Sequence, residues 1–375
     1  MKIRGALLRE MRRPPPYAES RPIEIAELEL EDPGPGEVLV RIAAAGLCHS
    51  DLSVIDGNRP RVMPMVLGHE AAAVVEALGP GVDDLAVGDH AVLVFVPSCG
   101  HCVPCAEGRP ALCEPGAAAN VAGTLLSGGR RLKLNGETVN HALGVSCFAD
   151  HAVVSRRSLV RIEKDIPLAH AALFGCAVLT GVGAVMNTAG MPAGSTVAVV
   201  GLGGVGLAAV LGALAAGAGR VIAVDLSDDK IALARQLGAT EGFNAGAPDA
   251  VAEIKDATSG GVAYAFEMAG STKAMETAYA ITRRGGTTVT AGLSPPGANA
   301  ALEHVVMVGE ERTVKGSYVG SCVPVRDIPR FAGLYRAGRL PVDRLLSETV
   351  RLEDLNAAFD RLATSQSVRQ ILTFD

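Results

Sequence analysis

The strongest constraint on the fold of this chain lies in residues 196–225, where an apolar run, a glycine-rich turn and an Ala/Leu-rich run follow one another. Residues 196–200 predict a short buried β-strand, and the run after residue 206 predicts a helix. A second apolar run ends at Asp225, close to the roughly 20-residue spacing at which dinucleotide-binding folds place the acid that binds the adenosine ribose. This pattern predicts a Rossmann domain with a site for NAD.

The glycines of this turn have separate physical roles in such a motif. Gly201 allows the sharp turn, Gly203 lets the backbone approach the pyrophosphate, and Gly206 lets the helix pack closely on the strand. The helix N-terminus offers unpaired N–H groups to the phosphates. The residues that this motif assigns to the cofactor are Gly201, Gly203, Gly204, Val205, Gly206 and Asp225.

Two other interpretations of the same stretch are available. The turn could bind no ligand, or the apolar residues 197–215, about the 20 residues that a bilayer requires, could span a membrane. Five glycines in that run and the immediate return to alternating helix and strand patterns favour the cofactor-binding domain.

The chain as a whole has 375 residues, a net charge of −6 and no long basic run. Its length is comfortable for two domains, and its charge provides no electrostatic footprint for nucleic acid or an anionic membrane. The first residues lack an apolar signal segment, so a cytoplasmic protein is expected. Eight cysteines in such a chain indicate metal binding or catalysis in preference to disulfides.

Four of these cysteines form a closely spaced group in a glycine- and proline-rich loop. Their spacings of three, three and eight residues, in a segment too irregular to form its own core, predict a closed tetrahedral zinc site. Such a site supports structure and leaves no position for a substrate. A redox Cys-x-x-Cys motif and buried free thiols are the alternatives. The four residues are Cys99, Cys102, Cys105 and Cys113.

A second group of metal-binding residue types is spread along the chain. Cys48 and Asp51 are followed by the pair His69 and Glu70, and Cys176 stands shortly before the glycine motif. A thiolate, an imidazole and a nearby carboxylate are what a zinc site uses, and Asp51 is well placed to accept a hydrogen bond from a ligand imidazole. From these residues alone, His69 could also be a hydrogen-bonded core histidine.

Together these motifs resemble the zinc-containing medium-chain alcohol dehydrogenases, and the similarity runs along essentially the whole chain. It rests on Cys48, the pair 69–70, the four-cysteine loop, residues 175–176, the glycine motif with Asp225, and residues 369–374. The resemblance implies that Cys48, His69 and Cys176 bind a catalytic zinc ion, the Cys₂His set known for that family. Glu70 is then a carboxylate beside the metal or an occasional alternative ligand.

The resemblance also implies roles for other polar residues. Zinc would act as a Lewis acid on an alcohol oxygen, and NAD would accept the hydride. Ser50 resembles the family's hydroxyl that accepts the alcohol proton, although a helix-capping serine is the alternative. Ser53 replaces a relay histidine and cannot act as a base near neutral pH, so the proton should leave through water or another group. Further cofactor contacts fall on His49, Thr180, Lys230 and Arg369.

The substrate pocket is expected to differ from that of better-known relatives. The resemblance places Phe95 in the substrate channel, with Ala118 and Ala142 where relatives commonly have larger apolar residues, which implies a roomy pocket. Arg59 and Ala117 replace the acid and the arginine with which the glutathione-dependent formaldehyde dehydrogenases hold their adduct, so that branch is disfavoured. Arg59 could reach an acidic or polar tail of the substrate, or could be an ordinary surface charge.

The expected architecture is α/β, with a Rossmann doubly wound parallel sheet at 178–318 and a GroES-like β-barrel catalytic domain at 1–177 and 319–375. The structural zinc loop lies at about 97–115, and the active cleft is expected between the domains. Asp225 would repel the 2′-phosphate of NADP, so NAD is the expected cofactor. The long segment between Cys113 and His151 resembles the dimeric branch of the family, so a homodimer is expected.

The expected function is reversible, NAD-linked oxidation of medium-to-bulky primary or secondary alcohols to aldehydes or ketones, with a catalytic and a structural zinc ion. One alternative is a zinc-dependent relative that converts formaldehyde or another aldehyde by dismutation or adduct oxidation. A second is a catalytically silent protein that binds zinc and NAD. A zinc-free reductase of the same fold would have no reason to retain both cysteine sets.

Overall fold

The computed structural model describes residues 1–374, and the chain divides into two compact units. The first unit comprises Met1–Cys176, Val323–Ala332 and the residues from Leu346 onward. The second unit comprises Ala177–Cys322 and Gly333–Leu345.

Both units contain strands and helices. The strands are β1 (Lys2–Leu8), β2 (Ile23–Leu30), β3 (Glu37–Gly46), β4 (Met65–Val66), β5 (Ala71–Leu78), β6 (His90–Leu93), β7 (Leu132–Leu134), β8 (Glu137–His141), β9 (His151–Ser155), β10 (Leu159–Ile162), β11 (Thr196–Val200), β12 (Arg220–Asp225), β13 (Glu241–Asn244), β14 (Val262–Glu267), β15 (Thr282–Thr290), β16 (Thr313–Gly316), β17 (Glu348–Val350) and β18 (Gln370–Thr373). The α-helices are α1 (Tyr17–Ser20), α2 (His49–Ile55), α3 (Val103–Ala106), α4 (Glu114–Ala122), α5 (Leu168–Ala171), α6 (Ala177–Gly183), α7 (Gly204–Ala215), α8 (Asp228–Gln236), α9 (Ala250–Ala257), α10 (Thr272–Ala280), α11 (His304–Gly309), α12 (Pro324–Arg336) and α13 (Leu355–Ala363). A π-helix follows α6 at Ala184–Ala189, and 3-10 turns lie at Pro110–Leu112, Arg156–Ser158, Ala172–Gly175, Val319–Ser321, Val342–Leu345 and Leu352–Asp354.

The second unit is built on a six-stranded sheet in which every strand pairing is parallel. The strand order is β13-β12-β11-β14-β15-β16, which is the 3-2-1-4-5-6 order of a doubly wound dinucleotide-binding sheet. Strand β11 lies inside the sheet, and its Val/Ala run is buried because both faces of such a sheet are covered. The predicted Rossmann architecture is confirmed.

The first unit contains a closed barrel of strands β1, β2, β7, β8 and β4. Strand β2 alternates buried and exposed residues, because successive side chains of a strand point to opposite faces. The buried residues around it form an apolar core: Ile3, Leu7, Ala26, Leu28, Leu30, Val66, Leu125, Leu132, Val139, Ala149 and Val153. Closure leaves this barrel without an unpaired edge.

A second sheet in the first unit brings the end of the chain beside its beginning. Its order is β10-β6-β5-β3-β18-β17, and β9 also pairs with β3. Strand β18 runs antiparallel to β3, so Ile371 lies opposite Gly46. This pairing places the residue before β18, Arg369, next to the segment that carries Leu47 and Cys48.

The apolar residues 197–215 divide into strand β11, the glycine turn and helix α7. Within residues 1–374, no single helix is long and apolar enough to cross a membrane. The consecutive helical segments Leu168–Gly175 and Ala177–Ala189 reach that length and hydropathy only when taken together.

His141 is a buried histidine at the end of strand β8, two residues after the core residue Val139. Its Nε2 atom accepts a hydrogen bond from the Arg131 backbone N–H at 3.1 Å, and its Nδ1 atom has no partner among the described residues. The nearby charge of Glu37 raises the pKa of His141, and the charges of Arg130 and Arg131 lower it. Burial lowers the pKa of His141 to about 4.

We expect His141 to make the folded chain less stable in acid. The unfolded chain binds a proton at an imidazole pKa near 6.5, whereas the folded chain binds it only near 4, so stability present above pH 6.5 is lost as the pH falls. His141→Gln should therefore lose about 2 kcal/mol less free energy of unfolding than the wild type between pH 7 and pH 5. Urea unfolding at both pH values measures the difference. Equal losses in the two proteins would contradict the expectation.

Candidate active site and metal centres

One candidate metal centre is formed by Cys48, His69, Glu70 and Cys176, all of which are buried. Their potential ligand atoms lie within 4.8 Å of one another. Cys48 caps the N-terminus of α2, the His-Glu pair lies between β4 and β5, and Cys176 lies between a 3-10 turn and α6. Three segments of the chain, remote in sequence, therefore converge on one site.

His69 is oriented by Asp51. The Asp51 Oδ1 atom lies 3.1 Å from His69 Nδ1 and also accepts the Gly68 N–H at 3.3 Å. In the neutral imidazole a proton on Nδ1 would leave the lone pair on Nε2, and Nε2 is buried without a hydrogen-bond partner among residues 1–374. An imidazole held by a carboxylate, with its other nitrogen bare, is the arrangement of a zinc ligand. The residues present therefore fit a zinc ion.

The ionisation of the Cys48 and Cys176 thiols also favours a cation at this site. The mutual hydrogen bond of Cys48 and Cys176 lowers the pKa of Cys48 well below its usual value and raises that of Cys176 well above it. The pair therefore shares one proton in the absence of a metal. A dication would displace that proton and convert both groups to thiolates.

Glu70 is paired with a buried arginine. Arg369 donates from Nη2 to the Glu70 carboxylate and from Nη1 to the Leu47 carbonyl at 2.9 Å. Burial lowers the pKa of Arg369, but Glu70 and the thiol of Cys48 raise it more, so the guanidinium stays charged. The ion pair engages one Glu70 oxygen, while Arg369 Nε is buried without a partner in the described part of the chain. The sequence had no signal for this pairing.

The second candidate metal centre is the group of Cys99, Cys102, Cys105 and Cys113, whose sulfur atoms lie within 4.8 Å of one another. No disulfide joins them; all eight cysteines of the described chain are free. The Cys102 N–H donates to Cys99 Sγ at 3.3 Å, and the Cys99 N–H donates to Cys113 Sγ at 3.2 Å. Donation from backbone N–H groups to sulfur suits thiolate ligands.

Ionisation of these four thiols is uneven without a cation. Backbone N–H groups of His101 and Cys102 lower the pKa of Cys99 to about 6. Burial raises the pKa of Cys105 to about 12. Four thiolates so close together require a positive ion, as a closed zinc site provides.

The glycine turn has the shape that the motif requires. Gly201 has φ +94°, and a Cβ on Gly206 would lie 1.8 Å from the Gly201 carbonyl oxygen. A Cβ on Gly203 would meet no described atom within 4 Å, so the backbone there is open to a ligand. Asp225 accepts the Leu202 N–H at 2.6 Å and the Ser227 N–H at 3.0 Å, which fixes its carboxylate beside the turn. These features fit a dinucleotide.

Other predicted residues lie in varied surroundings. Cys48, and not Ser50, is the N-cap of α2, so the alternative of a capping serine is wrong; Ser50 is partly buried and its N–H donates to Cys48 Sγ at 3.5 Å. Phe95 is buried, with its ring edge-on to that of His69 at 5.2 Å. Ala142 is buried and Ala118 is exposed on α4. The remainder comprises exposed His49 and half-buried Arg59, Thr180 and Lys230.

The first unit has a barrel, a buried Cys/His/Cys cluster and a four-cysteine centre. The second unit has a parallel sheet with a dinucleotide turn. Together these features define the class of zinc- and NAD-dependent oxidoreductases. Two family models match the chain: "Alcohol dehydrogenase GroES-like domain" over residues 34–164 and "Zinc-binding dehydrogenase" over residues 204–335. The first match confirms the GroES-like assignment.

Full-length relatives agree with these matches. The NDMA-dependent alcohol dehydrogenase of Amycolatopsis methanolica is 38% identical over 381 residues, covering 99% of each chain. The alcohol dehydrogenase class-3 of Drosophila melanogaster is 36% identical over 367 residues, covering 96% of each. The crystal structure of benzyl alcohol dehydrogenase from Acinetobacter calcoaceticus superimposes with a TM-score of 0.93 at 32% identity, covering 100% of each chain. The chain belongs to the zinc-dependent medium-chain alcohol dehydrogenase family.

Proposed function

We propose that this protein catalyses reversible, NAD-linked oxidation of medium-to-bulky primary or secondary alcohols at the Cys48/His69/Cys176 centre. The observation that carries the proposal is the buried cluster in which His69 presents an unpartnered Nε2 atom toward the two thiols. Full-length relatives named as alcohol dehydrogenases support the same activity.

The residues of this centre have different chemical roles. Cys48, His69 and Cys176 would hold zinc, which when bound supplies a Lewis acid that lowers the pKa of an alcohol hydroxyl. Asp51 holds the His69 ring in the orientation that leaves Nε2 free. Ser50 follows Cys48 by two residues and is partly exposed, so we assign it the hydroxyl that accepts the alcohol proton. Ser53 passes no proton onward as a base, so the exit route runs through water or another group.

The cofactor site is assigned to the glycine turn with Asp225. NAD, when bound, supplies the hydride acceptor. The Asp225 carboxylate would repel a 2′-phosphate, and no arginine occurs in residues 226–228 to neutralise it. We assign further contacts with the cofactor to His49, Thr180, Lys230 and Arg369.

The substrate class follows from the residues near the metal centre. The Phe95 ring lies against His69 and offers an aromatic wall. Ala142 is small and buried, so it leaves volume for a larger substrate. The name of the Acinetobacter relative, a benzyl alcohol dehydrogenase, supports an aromatic alcohol. We assign Arg59 to the outer end of the pocket, where it would meet a polar or acidic tail, and Ala118 to its wall despite its exposure in the single chain.

We also propose a homodimer. Three large apolar residues, Leu293, Val305 and Val308, are exposed in the second unit. They lie in the segment that precedes the edge strand β16, whose outer backbone groups have no neighbouring strand among the described residues. A second copy that covers this surface would bury the apolar side chains and pair the edge.

The test is metal content together with NADH formation from a panel of alcohols. We expect about two zinc ions per chain and faster turnover of benzyl and cinnamyl alcohol than of ethanol. NADP⁺ should be a poor substitute for NAD. Activity that declines steadily from ethanol to benzyl alcohol would refute the roomy pocket, and one zinc ion with no turnover would refute the catalytic assignment.

Two further assays separate the competing functions. An aldehyde dismutase would consume aldehyde without net release of NADH, so NADH must accumulate with simple alcohols for the proposal to stand. The Amycolatopsis relative is named for its dependence on NDMA, so the panel is repeated with NDMA. Turnover only with NDMA would keep alcohol oxidation and overturn release of NADH into solution.

A further inference from the structure

Helix α4 begins at the four-cysteine centre. Cys113 is its N-cap, and the sulfur atom of Cys113 accepts the Gly116 N–H at 3.4 Å. A Cβ on Gly116 would lie 2.3 Å from the Pro97 carbonyl oxygen, so the first turn of the helix lies directly against the segment that follows Phe95. The start of α4 is therefore held by a metal-ligand residue and by close backbone packing.

Two turns further along, Asn120 holds that same segment. Its Nδ2 atom donates to the Phe95 carbonyl oxygen at 2.8 Å, and Asn120 is only 8% exposed. The opposite amide orientation would place two oxygen atoms against each other, so the hydrogen bond fixes the side chain. Asn120 Oδ1 is buried and has no hydrogen-bond partner among the described residues.

Phe95 in turn contacts the candidate active site. Its ring and the His69 imidazole meet edge to face, with centroids 5.2 Å apart and an interplanar angle of 89°. Both residues are buried, so a displacement of the Phe95 backbone has no solvent space in which to relax. Any such displacement changes the wall beside His69.

The amide of Asn120 is buried at a position that an apolar side chain of similar size could fill. Burying an amide costs desolvation free energy that an apolar side chain does not incur. A residue that sacrifices stability in this way is typical of a position retained for function. The Nδ2 donor of Asn120 makes its hydrogen bond to the Phe95 carbonyl, beside the candidate active site.

We propose that Asn120 is a positioning residue, which transmits the rigidity of the four-cysteine centre through α4 to Phe95 and so sets the shape of the pocket wall beside His69. The inference rests on the proposed alcohol oxidation at that centre. By this inference the four-cysteine centre influences which substrates fit, because α4 connects it to the Phe95 segment within the first unit.

The test compares Asn120→Leu with Asn356→Leu in the full-length zinc-loaded protein. Asn356 is the matched control, since its side chain donates to the Ile23 carbonyl at 2.8 Å and accepts the Ile23 N–H at 3.1 Å, away from Phe95. We expect Asn120→Leu to raise the KM for benzyl alcohol at least about fivefold while the KM values for ethanol and NAD change less than about twofold. Asn356→Leu should lower the melting temperature without changing any KM. Asn120→Ala serves if the leucine variant does not fold.

Hydrogen exchange of the backbone at residues 94–98 gives a readout that needs no turnover. Exchange there should accelerate in Asn120→Leu and stay at the wild-type rate in Asn356→Leu. If exchange at residues 94–98 is unchanged in Asn120→Leu, the positioning role is overturned. It is also overturned if exchange is faster but the ratio of the KM values for benzyl alcohol and ethanol is the same as in the wild type. If the wild type oxidises no alcohol, the proposed function fails. The positioning role of Asn120 is then tested separately by equilibrium dialysis with benzyl alcohol. Binding by Asn120→Leu that equals binding by the wild type overturns that role.

Discussion

Replacing His69 with alanine is expected to impair alcohol oxidation severely and to remove one zinc ion from each chain. His69 provides the only imidazole of the Cys48/His69/Glu70/Cys176 cluster, and Asp51 already orients its Nε2 toward the thiols. Without the ring, the site loses a neutral ligand and the Lewis acid that it would hold. We expect kcat to fall roughly 1,000-fold, the equivalent of about 4 kcal/mol of transition-state stabilisation.

The measurement is kcat with benzyl alcohol alongside zinc content by atomic emission. His141→Gln is the matched control, because His141 is equally buried and lies outside both metal clusters. That variant should keep both zinc ions and near wild-type kcat at neutral pH. If His69→Ala retained both zinc ions and normal kcat, the catalytic centre would have to be placed elsewhere in the chain.

Cys105→Ser is expected to remove the other zinc ion and to destabilise the folded chain severely. Most residues of the loop at 99–113 are exposed or half-buried, and serine provides no thiolate to complete the tetrahedron. Structural zinc contributes roughly 10–16 kcal/mol of binding free energy in small zinc domains, comparable to the whole net stability of a protein. We expect the melting temperature to fall by roughly 10 °C or more.

Thermal unfolding with and without a chelator measures this effect. The chelator should lower the melting temperature of the wild type toward that of Cys105→Ser and change the variant far less. Cys322→Ala is the control, because Cys322 is a buried cysteine outside both clusters that accepts a hydrogen bond from Asn187. It should keep two zinc ions. A Cys105→Ser protein that is as stable as the wild type and keeps two zinc ions would contradict the assignment of Cys105 as a zinc ligand.

Several features of the site were accessible only in part from the sequence. The pattern around residue 50 allowed either a capping serine or a proton acceptor, and the structure shows that Cys48 is the cap. Ala118 was expected to line the pocket, and it is exposed on α4 in the single chain. Both features depend on the position of a short helix, α2 or α4, and that position is set by packing against neighbouring elements.

The local motifs were determined by the sequence itself. The four cysteines occur within one short loop, and the glycine turn lies between a strand and a helix that adjoin it, so spacing and backbone sterics over a few residues are enough to specify them. The alternation of apolar runs likewise predicted the parallel sheet. In the cysteine loop and the glycine turn, the groups that interact are neighbours along the chain, and the unfolded chain already brings them near one another.

Only the tertiary structure decided which distant residues support the Cys48/His69/Cys176 cluster. Glu70 and Arg369 are 299 residues apart and form a buried ion pair, because β18 returns to pair with β3. Asn120 reaches the Phe95 carbonyl across 25 residues, because α4 begins at the four-cysteine centre and lies against that segment. Such contacts result from strand pairing and the packing of whole elements, which no short stretch of sequence encodes.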